Sequence, residues 1–269
     1  MKVLGQAQGH FGEWIQGRLG PEGPVALVTV ACPELSARVL TVAPDYMNIA
    51  SQEAVKDVIR KFSEALDLPL PAPFSLSLDM PPGAGAGAST AALVALARAA
   101  GFAGAPEALA RACLAAEGAS DPLMFSRPDA VLWASREARV LAELPPPPAC
   151  EILGGYFGDN IKTDPQDTDF PDISDLSQQW SGAVAQADLA FCARLASASA
   201  LRCSAARGPA DDPTPELARR LGALGHLRAH TGSARGLIFA PGTLPDGAEA
   251  AAQAAGLRAP LRFTTGGPR

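Results

Sequence analysis

Apolar and polar residues follow two distinct periods along this chain. Phe74-Ser75-Leu76-Ser77-Leu78-Asp79-Met80 alternates singly, the period of a strand with one buried face. Met1 to Ala7 reads as a short strand, and Pro24 to Pro33 as a second, largely apolar one. From Asn48 to Leu66 the residues Ala54, Val55, Val58, Ile59, Phe62 and Leu66 recur at three- and four-residue intervals, which predicts an amphipathic helix. The run Pro69-Leu70-Pro71-Ala72-Pro73 ends it. Alanine-rich helices are predicted from Ala91 onward and over Glu107 to Ala116, then a hairpin over Ala130 to Leu144. Pro145 to Pro148 form a stiff break, which divides the chain into domains 1–148 and 149–269. Beyond it a strand starts at Cys150, and a polar loop covers Asp159 to Asp175. Helices are expected over Leu176 to Ala187, Asp188 to Arg207, Asp211 to Leu224 and Asp246 to Gly256, with a strand at Leu261 to Thr265. This order of strands and helices predicts an α+β protein.

Composition narrows the class. A chain of 269 residues has volume for one large domain or two modest ones. Its net charge of −6 argues against nucleic acid or an anionic membrane as the main partner. No apolar run is long enough to span a bilayer, and the first residues do not read as a signal peptide. Five scattered cysteines, without paired spacing, point to reduced thiols in a cytoplasmic setting and away from zinc.

The segment Pro81-Pro82-Gly83-Ala84-Gly85-Ala86-Gly87-Ala88-Ser89-Thr90 concentrates the chemistry. It stands between a predicted strand and a predicted helix. Glycines lacking Cβ let the backbone approach a bulky anion, and a helix start presents free N–H groups and the positive end of its dipole. No lysine stands where a Walker A loop requires one, and no acidic residue stands where a dinucleotide fold requires one. Further on, Glu117 and Asp121 sit at a helix end, where carboxylates serve either as solvated caps or as metal and hydroxyl partners.

Gly85-Ala86-Gly87-Ala88-Ser89-Thr90-Ala91 resembles the second motif of the GHMP small-molecule kinases, with Ala88 in place of its first serine. Gly12-Glu13-Trp14-Ile15-Gln16-Gly17, Cys32-Pro33, the Asp121-to-Phe125 segment and Ala229 to Phe239 resemble one branch of that family. Its members are L-threonine kinases linked to cobalamin side-chain synthesis. The resemblance implies a two-domain fold, an α/β nucleotide-binding domain followed by a ferredoxin-like α+β domain. It implies ATP and Mg²⁺ as cofactors and a small amino-acid alcohol, L-threonine, as acceptor. ATP would lie on Pro82, Gly83, Ala84, Gly85, Ala86, Gly87, Ala88, Ser89 and Thr90. Ser89 and Glu117 would hold the metal, with Asp121 and Ser89 catalytic. Glu13, His230, Thr231, Gly232 and Ser233 would meet the acceptor.

Two further departures and two open roles qualify this expectation. Gln8-Gly9-His10 replaces the family's initial P-G-K, so any lysine contact is absent or supplied by His10. Glu117 is displaced by one residue from the branch pattern. Asp121 serves either to align and deprotonate the hydroxyl or to bind metal. Arg235 is either a transition-state charge or an exposed arginine without that task. Another alcohol such as homoserine, a non-catalytic nucleotide-binding relative and a dinucleotide oxidoreductase are the competing functions.

Overall fold

The computed structural model describes residues 1–41, 53–71 and 73–268. Strands β1 (Val3–Arg18) and β2 (Val25–Thr41) form a long antiparallel hairpin. The sequence predicts only a short strand before the Gly9-to-Gly17 motif, yet the motif lies inside β1. A bulge accounts for this. His10 faces Ala31 and Glu13 faces Thr29, so three steps on β1 span two on β2. Gly12 at φ +69° makes the extra step, and a Cβ there would stand 2.9 Å from the Arg228 carbonyl carbon. The bulge turns His10 and Glu13 to one side, where single alternation would part them.

Helix α1 (Glu53–Leu66) realises the described part of the predicted amphipathic helix; residues 48–52 of that expectation lie outside the described residues. Strand β3 (Phe74–Leu78) pairs with the far end of β2 and leads through the glycine loop into α2 (Ala88–Ala99). Helix α3 (Pro106–Glu117) and a 3₁₀ turn (Pro128–Ala130) precede the hairpin β4 (Val131–Ala134) and β5 (Arg139–Glu143). The prolines 145–148 carry the chain to β6 (Cys150–Tyr156). An irregular loop then runs to α4 (Ser174–Ala185) and α5 (Leu189–Arg207). Helix α6 (Thr214–Leu221), strands β7 (Gly225–Arg228) and β8 (Ala234–Phe239), α7 (Ala248–Ala254) and β9 (Arg258–Thr265) complete the chain.

One antiparallel sheet runs β5-β4-β2-β1-β7-β8-β6-β9, with β3 on the flank of β2. Its two halves meet where Glu13 of β1 pairs with Arg228 of β7. That junction matters, because it sets the β1 bulge beside the turn after β7.

The abundance of alanine has a packing cause. Ala91 to Ala97 of α2 are all buried against the hairpin. A Cβ on Gly5 of β1 would stand 2.3 Å from the Ala95 carbonyl oxygen, so helix and sheet approach to backbone contact. Gly225 of β7 meets α5 in the same way, 2.3 Å from the Ala193 oxygen. Larger side chains fill the seam between halves: Trp14 lies 5.5 Å from Trp180, and Phe11 lies 5.4 Å from Tyr156, centroid to centroid. Truncating such a ring costs about 3–5 kcal/mol. All five cysteines are buried and unpaired. Among the described residues, no helix is long and apolar enough to cross a membrane.

Candidate active site

The glycine loop is held from behind by its carbonyls. Gly12 and His10 donate their backbone N–H groups to Gly85 and Ala86 oxygens, each at 3.2 Å. Ala234 and Ile161 donate to Ala84 and Gly83 oxygens, each at 2.8 Å. Three glycines make this turn possible, with φ of +74° at Gly83, +76° at Gly85 and +69° at Gly87. Gly87 caps α2 without a side-chain hydrogen bond. The leading N–H groups of α2 therefore have no intrahelical partner and carry the positive dipole end, the arrangement that favours a phosphate.

Ser89 and Thr90 open α2 on two different sides. Ser89 is exposed, and its hydroxyl donates to Glu117 Oε1 across a very short contact. Glu117 is the last residue of α3, where Gly118 at φ +74° ends the helix. Burial raises the Glu117 carboxyl above its ordinary range, and Asp121 repels it further. Thr90 is buried, and its Oγ1 accepts the Asp121 backbone N–H at 3.2 Å.

The Asp121 side chain turns to His10, with Oδ2 3.4 Å from Nε2. His10 is 2% exposed. Its other nitrogen lies 3.3 Å from the Gly12 oxygen and 3.7 Å from Glu13 Oε1. Burial alone would lower the His10 pKa, but Asp121, then Glu13, outweigh it and raise it to about 9. Burial acts to raise Asp121 as well, yet the imidazolium holds its carboxyl below the usual range. Glu13, deeper in the seam, is pushed up to about 8 by burial against the pull of His10. The centre is thus a buried imidazolium between two carboxyl groups, with Asp121 the ionised one nearest the loop.

Around this centre the remaining expected residues divide. His230 donates its backbone N–H to Glu13 Oε2 at 2.6 Å. Its ring stacks on Phe170 at 3.9 Å, and both ring nitrogens are buried without a hydrogen-bond partner. Burial, with Arg136, Arg207, Arg228 and His10 nearby, holds that ring well below its ordinary pKa, hence neutral. Thr231 shares a 2.9 Å hydrogen bond with Thr163. Gly232 touches the glycine loop: a Cβ there would be 2.5 Å from the Gly83 oxygen. Ser233 is fully buried and donates to Asn160 Oδ1 at 2.6 Å. Arg235 is not exposed. It is 1% accessible and donates to Asp212 at 2.5 Å.

Several residues at this site carry no signature in the sequence. Arg136 lies in what reads as a plain polar turn between β4 and β5. Lys162, Thr163 and Asn160 lie in the polar loop after β6. Phe170, the lone aromatic in that loop, was a sign that the segment packs down: it stacks on His230 on one side and carries Arg207 at 4.2 Å on the other.

The donor set fits a hard divalent cation only with help from a ligand. Ser89 and Glu117 offer one hydroxyl and one carboxylate. Among the described residues, no group of three or more His, Cys, Asp or Glu is placed to hold a metal. Magnesium suits that arrangement, since it takes one or two protein oxygens and completes its shell with phosphates and water. Two concavities, of about 380 and 650 Å³, lie elsewhere, one beside α1 and α3 and one beside β4 and β5. Neither contains His10, Ser89, Glu117 or Asp121.

No protein-family model and no curated protein sequence matches this chain. Solved structures do. Mevalonate kinase from methicillin-resistant Staphylococcus aureus superposes with a TM-score of 0.64 at 16% identity, covering 98% of each chain. Homoserine kinase from Cytophaga hutchinsonii gives 0.61 at 14% identity, covering 97% of this chain and 94% of its own. The protein MDDEF, in complex with MVAPP, AMPPCP and magnesium, gives 0.61 at 14%, covering 98% and 97%. The chain therefore shares the fold of these GHMP-type proteins over 97–98% of its length.

Proposed function

We propose that this protein is an ATP- and magnesium-dependent kinase of the GHMP superfamily, and that its acceptor is the side-chain hydroxyl of L-threonine. The observation that carries this reading is the pairing of Asp121 with buried His10 at the foot of the glycine loop. Asp121 stands next to the place where α2 would receive a phosphate, and its charge is maintained by an imidazolium. Similar folds serve as mevalonate and homoserine kinases, and one neighbour holds AMPPCP and magnesium. Residues 1–148 would then form the nucleotide-binding domain and 149–269 the second domain. Five free buried thiols are in keeping with a cytoplasmic enzyme.

On this reading the glycine loop from Pro82 to Thr90 seats the triphosphate, and Ser89 with Glu117 holds magnesium against it. Bound there, magnesium neutralises charge on the phosphates. Asp121 would accept a hydrogen bond from the acceptor hydroxyl, align its oxygen for in-line attack and take its proton as the new O–P bond forms and the bond from the γ-phosphorus to the departing ADP breaks. Phosphoryl transfer asks chiefly for such positioning and charge stabilisation. His10 occupies the place of the missing lysine: it keeps Asp121 ionised and fixes its direction. Glu13, Thr231 and Gly232 line the acceptor side. The L-threonine assignment rests on the branch-like motifs around Glu13, Asp121 and His230.

Phosphorus NMR of a mixture of protein, ATP, Mg²⁺ and L-threonine tests the reading. Signals of ADP and a phosphomonoester should grow together. Growth only with homoserine or another alcohol would replace the acceptor. Unchanged ATP with every alcohol would remove the kinase assignment.

A further inference from the structure

Arg136 is a partly buried cation with few partners. It follows Ser135, whose oxygen accepts the Ser120 N–H at 2.9 Å, so the β4–β5 turn is stitched to the segment that carries Asp121. A guanidinium has five N–H donors. This one reaches Ser135 Oγ and the Asp164 carbonyl, each at the long distance of 3.3 Å. Its Nε is buried with no hydrogen-bond partner. Among the described residues, no carboxylate forms an ion pair with it, unlike Arg127, Arg207 and Arg235, which each have one. An incompletely paired arginine at a partly buried place is costly unless something else completes its shell.

The surrounding charges say which side of the centre it serves. Arg136 acts on Asp121, Asp164 and Asp167, on Arg207, and on the neutral His230 ring. The cation that acts on Glu117 is Lys162, next to Gly83. The two cations are thus divided, Lys162 to the phosphate side and Arg136 to the side of Asp121 and His230 where the acceptor would lie.

The geometry points to Arg136 as the residue that selects the acceptor, by binding a carboxylate carried on the carbon next to the one bearing the hydroxyl. This rests on the phosphoryl-transfer reading above and adds to it the recognition of an acidic alcohol. Asp121 takes the hydroxyl, and the guanidinium fork beside it takes the neighbouring carboxylate in the bidentate manner that lysine reproduces poorly. A site built around an unpaired arginine rejects the same alcohol without its acid, because the cation is then left desolvated.

The test compares L-threonine with 1-amino-2-propanol, the same alcohol without the carboxylate, in wild type, Arg136→Gln and Arg136→Lys. Wild type should favour L-threonine in kcat/KM by roughly 100-fold or more. In Arg136→Gln that ratio should fall by roughly 10- to 100-fold, chiefly through the KM for L-threonine, with KM for ATP moving less than about twofold. Arg136→Lys should recover part of the preference. An unchanged ratio in Arg136→Gln, or a loss expressed in the KM for ATP with both acceptors, would overturn the assignment. Calorimetric titration with L-threonine separates this failure from that of the kinase reading. Arg136-dependent binding without turnover would remove the kinase and leave the carboxylate site. Turnover of alcohols with no preference for the acid would do the reverse.

Discussion

His10 Nε2 lies 3.4 Å from Asp121 Oδ2, and both side chains belong to segments that bracket the glycine loop. The groups facing the His10 ring are Asp121, Glu13 and the Gly12 carbonyl. Its pKa of about 9 lies above the free value of 6.5, so the folded protein holds this proton more tightly than the unfolded chain. The stabilisation is fully present below 6.5 and lost as pH rises through 9. Glu13, raised to about 8, acts in the same direction between 4.5 and 8. Unfolding free energy from urea titrations should therefore fall by on the order of 3 kcal/mol between pH 6 and 10 for the His10 share alone.

The same proton governs turnover. Once His10 is neutral, Asp121 loses the charge that directs it, and kcat/KM should decline above about pH 9. His10→Gln should lower the plateau and abolish that alkaline limb. A limb that survives in His10→Gln belongs to some other group.

Ser89 separates chemistry from folding. Its side chain is exposed at the start of α2 and hydrogen-bonds to Glu117. Ser89→Ala should reduce kcat by roughly 100-fold or more, as loss of a transition-state contact does, while stability changes by less than about 0.5 kcal/mol. Steady-state kinetics across a magnesium series beside a thermal melt decides it. Equal turnover in both proteins would dismiss the metal role.

Some of this was legible in residue order and some was not. The glycine loop and α2 were, because glycine punctuation and an alanine run are local signals. Helices α4 and α5 also fall close to their expected bounds, and Asp188 caps α5 as a carboxylate should, accepting the Phe191 N–H at 2.9 Å. Strand β1 was not, since Gly9, His10, Gly12 and Glu13 break its alternation and only the bulge against β2 keeps it a strand. The meeting of His10 with Asp121 depends on that bulge and on Thr90 holding the Asp121 backbone, two long-range contacts that no spacing records. Glu117 looked displaced by one residue, yet the end of α3 at Gly118 leaves its carboxylate on Ser89. Arg136 was invisible for a simpler reason: a charged residue in a hairpin turn is ordinarily just solvated.

Gly85 and Gly101 both adopt positive φ, at +76° and +80°, but in different surroundings. A Cβ at Gly101 meets nothing within 4 Å. At Gly85 it would stand 2.2 Å from the Ala229 Cβ and 2.3 Å from the Thr231 oxygen. Gly101→Ala should cost about 1–2 kcal/mol, the backbone term alone. Gly85→Ala adds displacement of the turn after β7 and should cost at least about 3 kcal/mol, with loss of nucleotide binding. Paired urea titrations compare them, and equal costs would show that the loop and that turn are not in backbone contact.

Arg235 and Asp212 make the clearest test of structure without chemistry. Arg235 is 1% exposed and donates to Asp212 at 2.5 Å and to the Ala234 and Gly232 oxygens at 2.9 and 3.2 Å. Burial would raise the Asp212 carboxyl, but Arg235 and Thr214 hold it below its usual range. Removing one partner strands the other charge in a dry place, so Arg235→Ala should lose about 3–5 kcal/mol. Arg235→Met, which fills the volume but still leaves Asp212 unpaired, should also destabilise, while the double change Arg235→Met with Asp212→Leu should recover much of the loss. If Arg235 instead served the transferring phosphate, Arg235→Met would depress kcat far more than stability, and the double change would restore folding without restoring turnover. Chemical denaturation and kcat measured on the same three proteins distinguish the two roles.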